Sequence, residues 1–192
     1  GDAWYSLGRT YLIVDDATKA IDCLTKAKEF IPEDSKVFLY LGIAYEKLKN
    51  SDMAIKHYIT SLALKEYYET HINLGLCYYD IKELSLALKH TKRAFEIESN
   101  NLDCLRYYVF ILIKSDQREE AYNLLLNTSL KYDEDPSMLE TFILLALNAN
   151  DFIKADETYK RLKSINPTHP TVNDYEMLKT IATSKDIDVF AC

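Results

Sequence analysis

An alanine returns along this chain at a nearly constant interval: Ala20, Ala54, Ala87, Ala121 and Ala155 are separated by 34, 33, 34 and 34 residues. Around the first three the neighbourhood returns as well. Gly8, Gly42 and Gly75 precede those alanines by the same distance, and Tyr11, Tyr45 and Tyr78 follow the glycines by the same distance. A unit this short cannot bury its apolar face alone. A period of this length therefore restricts the chain to architectures in which one supersecondary unit stacks on copies of itself.

Inside each unit the apolar spacing is helical: Trp4, Leu7, Gly8 and Tyr11 follow the i, i+3, i+4, i+7 pattern of one helix face. A glycine on one helix and an alanine on the next let two axes approach closely, while large neighbours fill the space beside them. Asp15-Asp16, Asn50-Ser51-Asp52, Ser115-Asp116 and Asn150-Asp151 mark turns within units, with short polar side chains that accept hydrogen bonds from open helix amides. Pro32-Glu33-Asp34-Ser35, Asp135-Pro136 and Asn166-Pro167 mark turns between units, and Asp133-Glu134-Asp135 reads as a capping run. The spacing predicts about eleven helices. Five hairpins fall over 1–34, 35–67, 68–101, 102–135 and 136–169, and a last helix over 170–184. That helix carries an apolar stripe of Val172, Tyr175, Leu178 and Ile181 opposite polar residues, which suits a cap on the end of a stack. Residues 185–192 are left as a tail. Because the first unit begins within a few residues of Gly1, the chain is expected to be a segment of a longer protein.

The residues that repeat resemble a tetratricopeptide-repeat array over 1–169. They are Trp4, Leu7, Gly8, Tyr11, Ala20, Leu24, Ala27 and Pro32 in the first unit; Phe38, Leu41, Gly42, Tyr45, Ala54 and Tyr58 in the second; and Leu74, Gly75, Tyr78, Ala87 and Ala94 in the third. The fourth and fifth depart from the pattern where Val109 and Ile143 replace glycine. The resemblance implies an all-α fold, a right-handed α-solenoid of stacked antiparallel hairpins. In such a fold the first helix of each hairpin lines a concave groove that binds a peptide, a helix or a partner domain.

Carried onto this sequence, the groove residues implied by the resemblance are Tyr5, Arg9, Leu12 and Ile13; Leu39, Tyr40, Ile43 and Glu46; Ile72, Asn73, Leu76 and Asp80; Arg106, Tyr107, Phe110 and Lys114; and Glu140, Leu144 and Asn148. For Leu39, Ile43, Ile72 and Leu76, packing between neighbouring units is the competing role. Tyr40, Tyr107, Arg9 and Arg106 suit binding better, since Tyr and Arg most often dominate interface energy. Asn73 sits where peptide-binding members place an asparagine that both donates to and accepts from a peptide backbone. The family's clamp for a chaperone's terminal carboxylate is not expected, because its positions hold Tyr5, Arg9, Tyr40, Glu69 and Asn73, and Glu69 repels a carboxylate. Three functional classes follow from the resemblance. The leading one is a non-catalytic interaction module of a scaffold or assembly factor. The others are the regulatory or substrate-docking region of a multidomain enzyme such as a glycosyltransferase, and a chaperone for secreted proteins.

Composition narrows the chemistry. With 23 Lys and Arg against 30 Asp and Glu, the net charge of −7 gives no basic footprint for nucleic acid. No apolar run approaches the roughly 18 residues of a membrane span. The histidines His57, His71, His90 and His169 lack the local spacing of a metal site, and no nucleophile motif or Gly-rich phosphate loop occurs. No catalytic residue, metal or cofactor is therefore expected. Cys23, Cys77, Cys104 and Cys192 lie far apart, so a disulfide framework is not expected and a reducing, cytoplasmic setting is.

Overall fold

In the computed structural model, which describes residues 1–128 and 134–184, the backbone carries its own version of the period. Asp15, Lys49, Lys82, Asp116 and Asn150 all take a positive φ, between 58° and 68°. Each ends the first helix of a hairpin. The amide one residue further on, at Asp16, Asn50, Glu83, Gln117 and Asp151, donates back to the carbonyl of Tyr11, Tyr45, Tyr78, Leu112 or Ala146 at 2.8–2.9 Å. This is a Schellman stop, in which a left-handed residue lets the chain reverse while pairing carbonyls that the helix end leaves open. None of the five is glycine, so each carries some strain. Replacing Lys82 with glycine should raise stability by about 0.5–1 kcal/mol, read as a higher denaturation midpoint. A lower midpoint would contradict the strained-turn account.

The tail 185–192, with Cys192, and Asp133 of the acidic run lie outside the described residues. The described residues are helical throughout, with no strand. They divide into two compact units, Gly1–Ile111 and Leu112–Cys192.

The first unit holds α1 (Asp2–Ile13), α2 (Ala17–Phe30), α3 (Ser35–Lys47), α4 (Ser51–Leu64), α5 (Tyr68–Asp80), α6 (Leu84–Ile97) and most of α7 (Leu102–Lys114). α1 pairs with α2, α3 with α4 and α5 with α6, while α2 against α3 and α4 against α5 join the pairs. The small residues do what their spacing predicts. Ala20, Ala54 and Ala87 are wholly buried. A methyl group at position 8 would lie 2.6 Å from Leu24, and one at position 75 would lie 2.8 Å from Thr91. At position 42 it would lie 2.3 Å from the ring of Tyr58. The core is strung along the stack: Leu12, Leu24, Val37 and Leu41 in a first cluster, Leu39, Tyr58, Leu74 and Cys77 in a second, Ile72, Ala94 and Cys104 in a third.

Capping follows the sequence at α2 and α4, where Asp16 and Asn50 accept from Lys19 and Met53 amides, both at 3.1 Å. Asp34 and Asn101 do the same at the starts of α3 and α7. The Ser115-Asp116 pair does not cap as expected. Asp116 takes the left-handed turn position, and Gln117, with no side-chain cap, stands at the N-terminus of α8.

The second unit holds the end of α7, then α8 (Arg118–Asn127), α9 (Pro136–Asn148), α10 (Phe152–Ile165) and α11 (Pro170–Ser184). Asp135 and Asp151 cap α9 and α10, accepting from Met138 at 2.9 Å and Lys154 at 3.0 Å. The Tyr122 ring stacks on Phe142, and its hydroxyl donates to Asp151 at 2.6 Å. α11 lies against α9 and α10. Tyr175 stacks on Tyr159 with centroids 4.1 Å apart, and both its hydroxyl and Lys179 bond Asp156. The Lys179 ammonium, then the Tyr175 hydroxyl, hold the Asp156 carboxyl below its usual range.

Candidate protein-binding face

Nine of the expected groove residues, Tyr5, Arg9, Tyr40, Ile43, Asn73, Leu76, Arg106, Tyr107 and Phe110, lie in the first unit, on the first helices of its hairpins and on α7. Three ladders run through them at the repeat spacing: Tyr5, Leu39, Ile72, Arg106; then Ser6, Tyr40, Asn73, Tyr107; then Arg9, Ile43, Leu76, Phe110. Their burial separates them. Leu39 and Ile72 are 7% exposed and belong to the core clusters, so the first ladder is a packing seam between hairpins with Tyr5 and Arg106 at its ends. Leu12, also expected on the groove, is core too. Tyr40, Asn73, Tyr107, Ile43, Leu76 and Phe110 are half-buried and Arg9 is exposed, as a shallow contact face requires.

Two groups of side chains are brought together. At one end the Tyr5 and Tyr40 rings meet edge to face, 5.6 Å apart, and the Arg9 guanidinium stands over both, 5.6 and 5.1 Å from their centroids. No carboxylate pairs with Arg9 among the described residues. Burial first, and then Tyr40, push the Tyr5 phenol above its ordinary range, so it remains a neutral hydroxyl that can donate. Ile43, like Tyr5 and Tyr40, packs against the first core cluster, and it packs against the second as well. At the other end Leu76 and Tyr107 pack on the third cluster, and Phe110 meets Tyr79 edge to face at 5.2 Å. Between them, Asn73 is half-buried and nothing hydrogen-bonds its side chain among the described residues.

Other expected groove residues are already engaged. Glu46 accepts from the Tyr58 hydroxyl at 2.8 Å and lies 3.7 Å from the Cys77 sulfur. Burial, then Glu46, push the Cys77 thiol up to about 12, which leaves it unreactive. Arg106 bonds Asp103 one turn earlier on α7 at 2.9 Å. In the second unit Glu140 accepts from Thr171 of α11. Two features carry no mark in the groove pattern of the sequence: Tyr79, which sits beside Phe110, and a polar cluster of Glu66, His71, His90 and Arg93 between α5 and α6. Among the described residues, no group of three or more His, Cys, Asp or Glu could hold a metal ion. No described helix is long and apolar enough to cross a membrane. Cys23, Cys77 and Cys104 are free and buried.

Helical hairpins at this period, stopped by Schellman turns and packed through a glycine against an alanine-bearing partner helix, define a tetratricopeptide-repeat fold. Residues 1–34 match the tetratricopeptide repeat family directly, and the hairpins that follow keep its period. Among curated relatives, the BBSome complex member BBS4 of Bos taurus is 24% identical over 205 residues, covering 87% of this chain and 39% of that protein. The chain thus spans about two fifths of that relative's length. The solved structure of YrrB, described as a TPR protein with an unusual peptide-binding site, superposes with a TM-score of 0.73 at 16% identity, over 91% of this chain and 90% of that one. The first TPR of Spaghetti (RPAP3), bound to the HSP90 peptide SRMEEVD, superposes with a TM-score of 0.57 at 23% identity, over 59% of this chain and 94% of that one.

Proposed function

We propose that this chain is a non-catalytic protein-binding module, part of a larger scaffold or assembly factor, whose first-helix face in Gly1–Ile111 takes a peptide or helix of a partner. The observation that carries this reading is the pair of ladders that are half-buried beyond their exposed first members. Tyr40, Asn73 and Tyr107 run beside Arg9, Ile43, Leu76 and Phe110, an aromatic and apolar strip with an unbonded amide at its middle. Such a strip is costly to leave in water and is the composition of interface centres. YrrB's described peptide-binding site and BBS4's membership of a complex are in keeping with it. In this arrangement Asn73 pairs with partner backbone, and Tyr40, Tyr107 and Arg106 supply side-chain contacts. A photo-crosslinking residue placed at Tyr40 or Tyr107 should capture a partner protein, and the same residue at exposed Lys56 on α4 should not. Capture from Lys56 alone would overturn the assignment.

The same face should reject the chaperone carboxylate. Arg9 is its only cation at the clamp positions, and exposed Glu69 adds a like charge. Titration of the peptide SRMEEVD into the protein is expected to release no measurable heat of binding. A micromolar, salt-sensitive affinity would show that the clamp is built from other residues.

A further inference from the structure

The second and third hairpins share a ring motif, and one substitution changes its chemistry. In the second, His57 stacks on Tyr45 with centroids 5.3 Å apart and lies 6.2 Å from the tilted ring of Phe38. The equivalent residues of the third, each 33 further along, are His90, Tyr78 and His71. His90 stacks on Tyr78 at 5.6 Å, but the ring in the Phe38 position is an imidazole, 5.2 Å from His90.

That imidazole is wired. Arg93 of α6 holds Glu66 through two bonds, 2.8 and 2.9 Å, and the Glu66 carboxylate accepts from His71 Nε2 at 3.1 Å. With its proton on Nε2, His71 presents a bare Nδ1, so the Nδ1 of His90, 2.9 Å away, must carry the donated hydrogen. Only His90 Nε2 is then left to take a proton. A second proton, on His71 Nδ1, would set N–H against N–H and break the bond. Lys89 and Arg93 on α6 oppose positive charge here; Glu66, which favours it on His71, is held by Arg93, which also bonds Glu96 at 3.3 Å. Burial first, then His71, hold His90 down at about 4, and burial holds His71 below the ordinary histidine value.

We propose that the His71–His90 pair is an acid-opened latch of the third hairpin: protonation separates α5 from α6 more readily than α3 from α4, where Phe38 fills the same position and His57 has no second imidazole beside it. The direction follows from linkage. A histidine whose folded value is depressed binds protons more readily once the hairpin opens, so the closed form is fully favoured above about 6.5 and loses ground as pH falls toward about 4. α5 also carries Asn73 and Leu76, so opening would loosen the binding face as well. That consequence rests on the proposed function, and the latch itself does not.

The test is amide hydrogen exchange of the full chain at pH 7 and pH 5, corrected for the intrinsic chemical rate. Exchange through opening of α5 and α6 should rise by about tenfold or more at pH 5, and by clearly less in α3 and α4. His71→Phe, which copies the second hairpin's own ring set, should bring the rise in α5 and α6 down to that of α3 and α4. An equal rise in both hairpins of the wild-type chain would overturn the latch, whether or not the variant folds. So would a full acid response surviving in a folded His71→Phe protein.

Discussion

Replacing Tyr58 with alanine is expected to lower the unfolding free energy by about 3–5 kcal/mol, the range for removing a large buried ring. The side chain is wholly buried, and its ring occupies the space that the absent side chain of Gly42 leaves open on α3. Its hydroxyl is the donor to half-buried Glu46. Burial first, then Glu46, push that phenol far above its ordinary range, so it stays a donor. Alanine therefore opens a cavity and also leaves a half-buried carboxylate short of a partner. Tyr58→Phe separates the two effects: the ring stays, and the loss should be about 1.5–3 kcal/mol, the worth of a hydrogen bond to a charged group. From the other side of the crossing, Gly42→Ala pushes a methyl into a ring that cannot move aside, at a cost of about 1–3 kcal/mol. Because both changes act on one contact, they should not add. In a Tyr58→Leu background, Gly42→Ala should cost much less, and urea titrations of the four proteins measure the difference. An unchanged cost in both backgrounds would mean that another contact sets this crossing.

The second large effect is expected in binding. Tyr107 is half-buried, packs on the Ile72, Ala94 and Cys104 cluster, and stands on the same ladder as Tyr40 and Asn73. A rigid ring so supported loses little freedom when a partner covers it, and tyrosines of this kind dominate interface energy. Tyr107→Ala should weaken partner binding by about 2 kcal/mol, or roughly thirtyfold. Stability should fall less than it does for Tyr58→Ala, because part of the Tyr107 side chain faces solvent. Tyr107→Phe should recover most of the affinity if ring area carries the contact, and little if the hydroxyl does.

The helical architecture is legible in the sequence because one short-range rule sets it: a small residue on each of two helices fixes their approach, and Ala20, Ala54 and Ala87 stand wholly buried at those approaches. The turns were only half legible. Asp16, Asn50 and Asp151 announce themselves as caps, but Lys49 and Lys82 take a left-handed conformation that nothing in a lysine favours. The backbone stop imposes it. The binding face was ambiguous because helical periodicity says which residues share a face, and not whether the next hairpin covers them. Leu39 and Ile72 prove covered, whereas Ile43 and Leu76, one turn on, are half open. The His71–His90 contact joins residues 19 apart on two helices, beyond any local metal or catalytic spacing. Its one signal was the recurrence of Tyr45 and His57 as Tyr78 and His90 at the repeat interval.

The proposed function stands on which face of the first unit binds. The direct measurement is the dissociation constant of the partner captured by crosslinking, determined for the wild-type chain, for Asn73→Ala and Tyr107→Ala, and for Lys56→Glu and Lys92→Glu at exposed positions of α4 and α6. The account predicts about tenfold or greater weakening for the first two and little change for the last two. Unchanged affinity in Asn73→Ala and Tyr107→Ala, with binding abolished by the α4 and α6 variants, would place the partner on the second helices and contradict it.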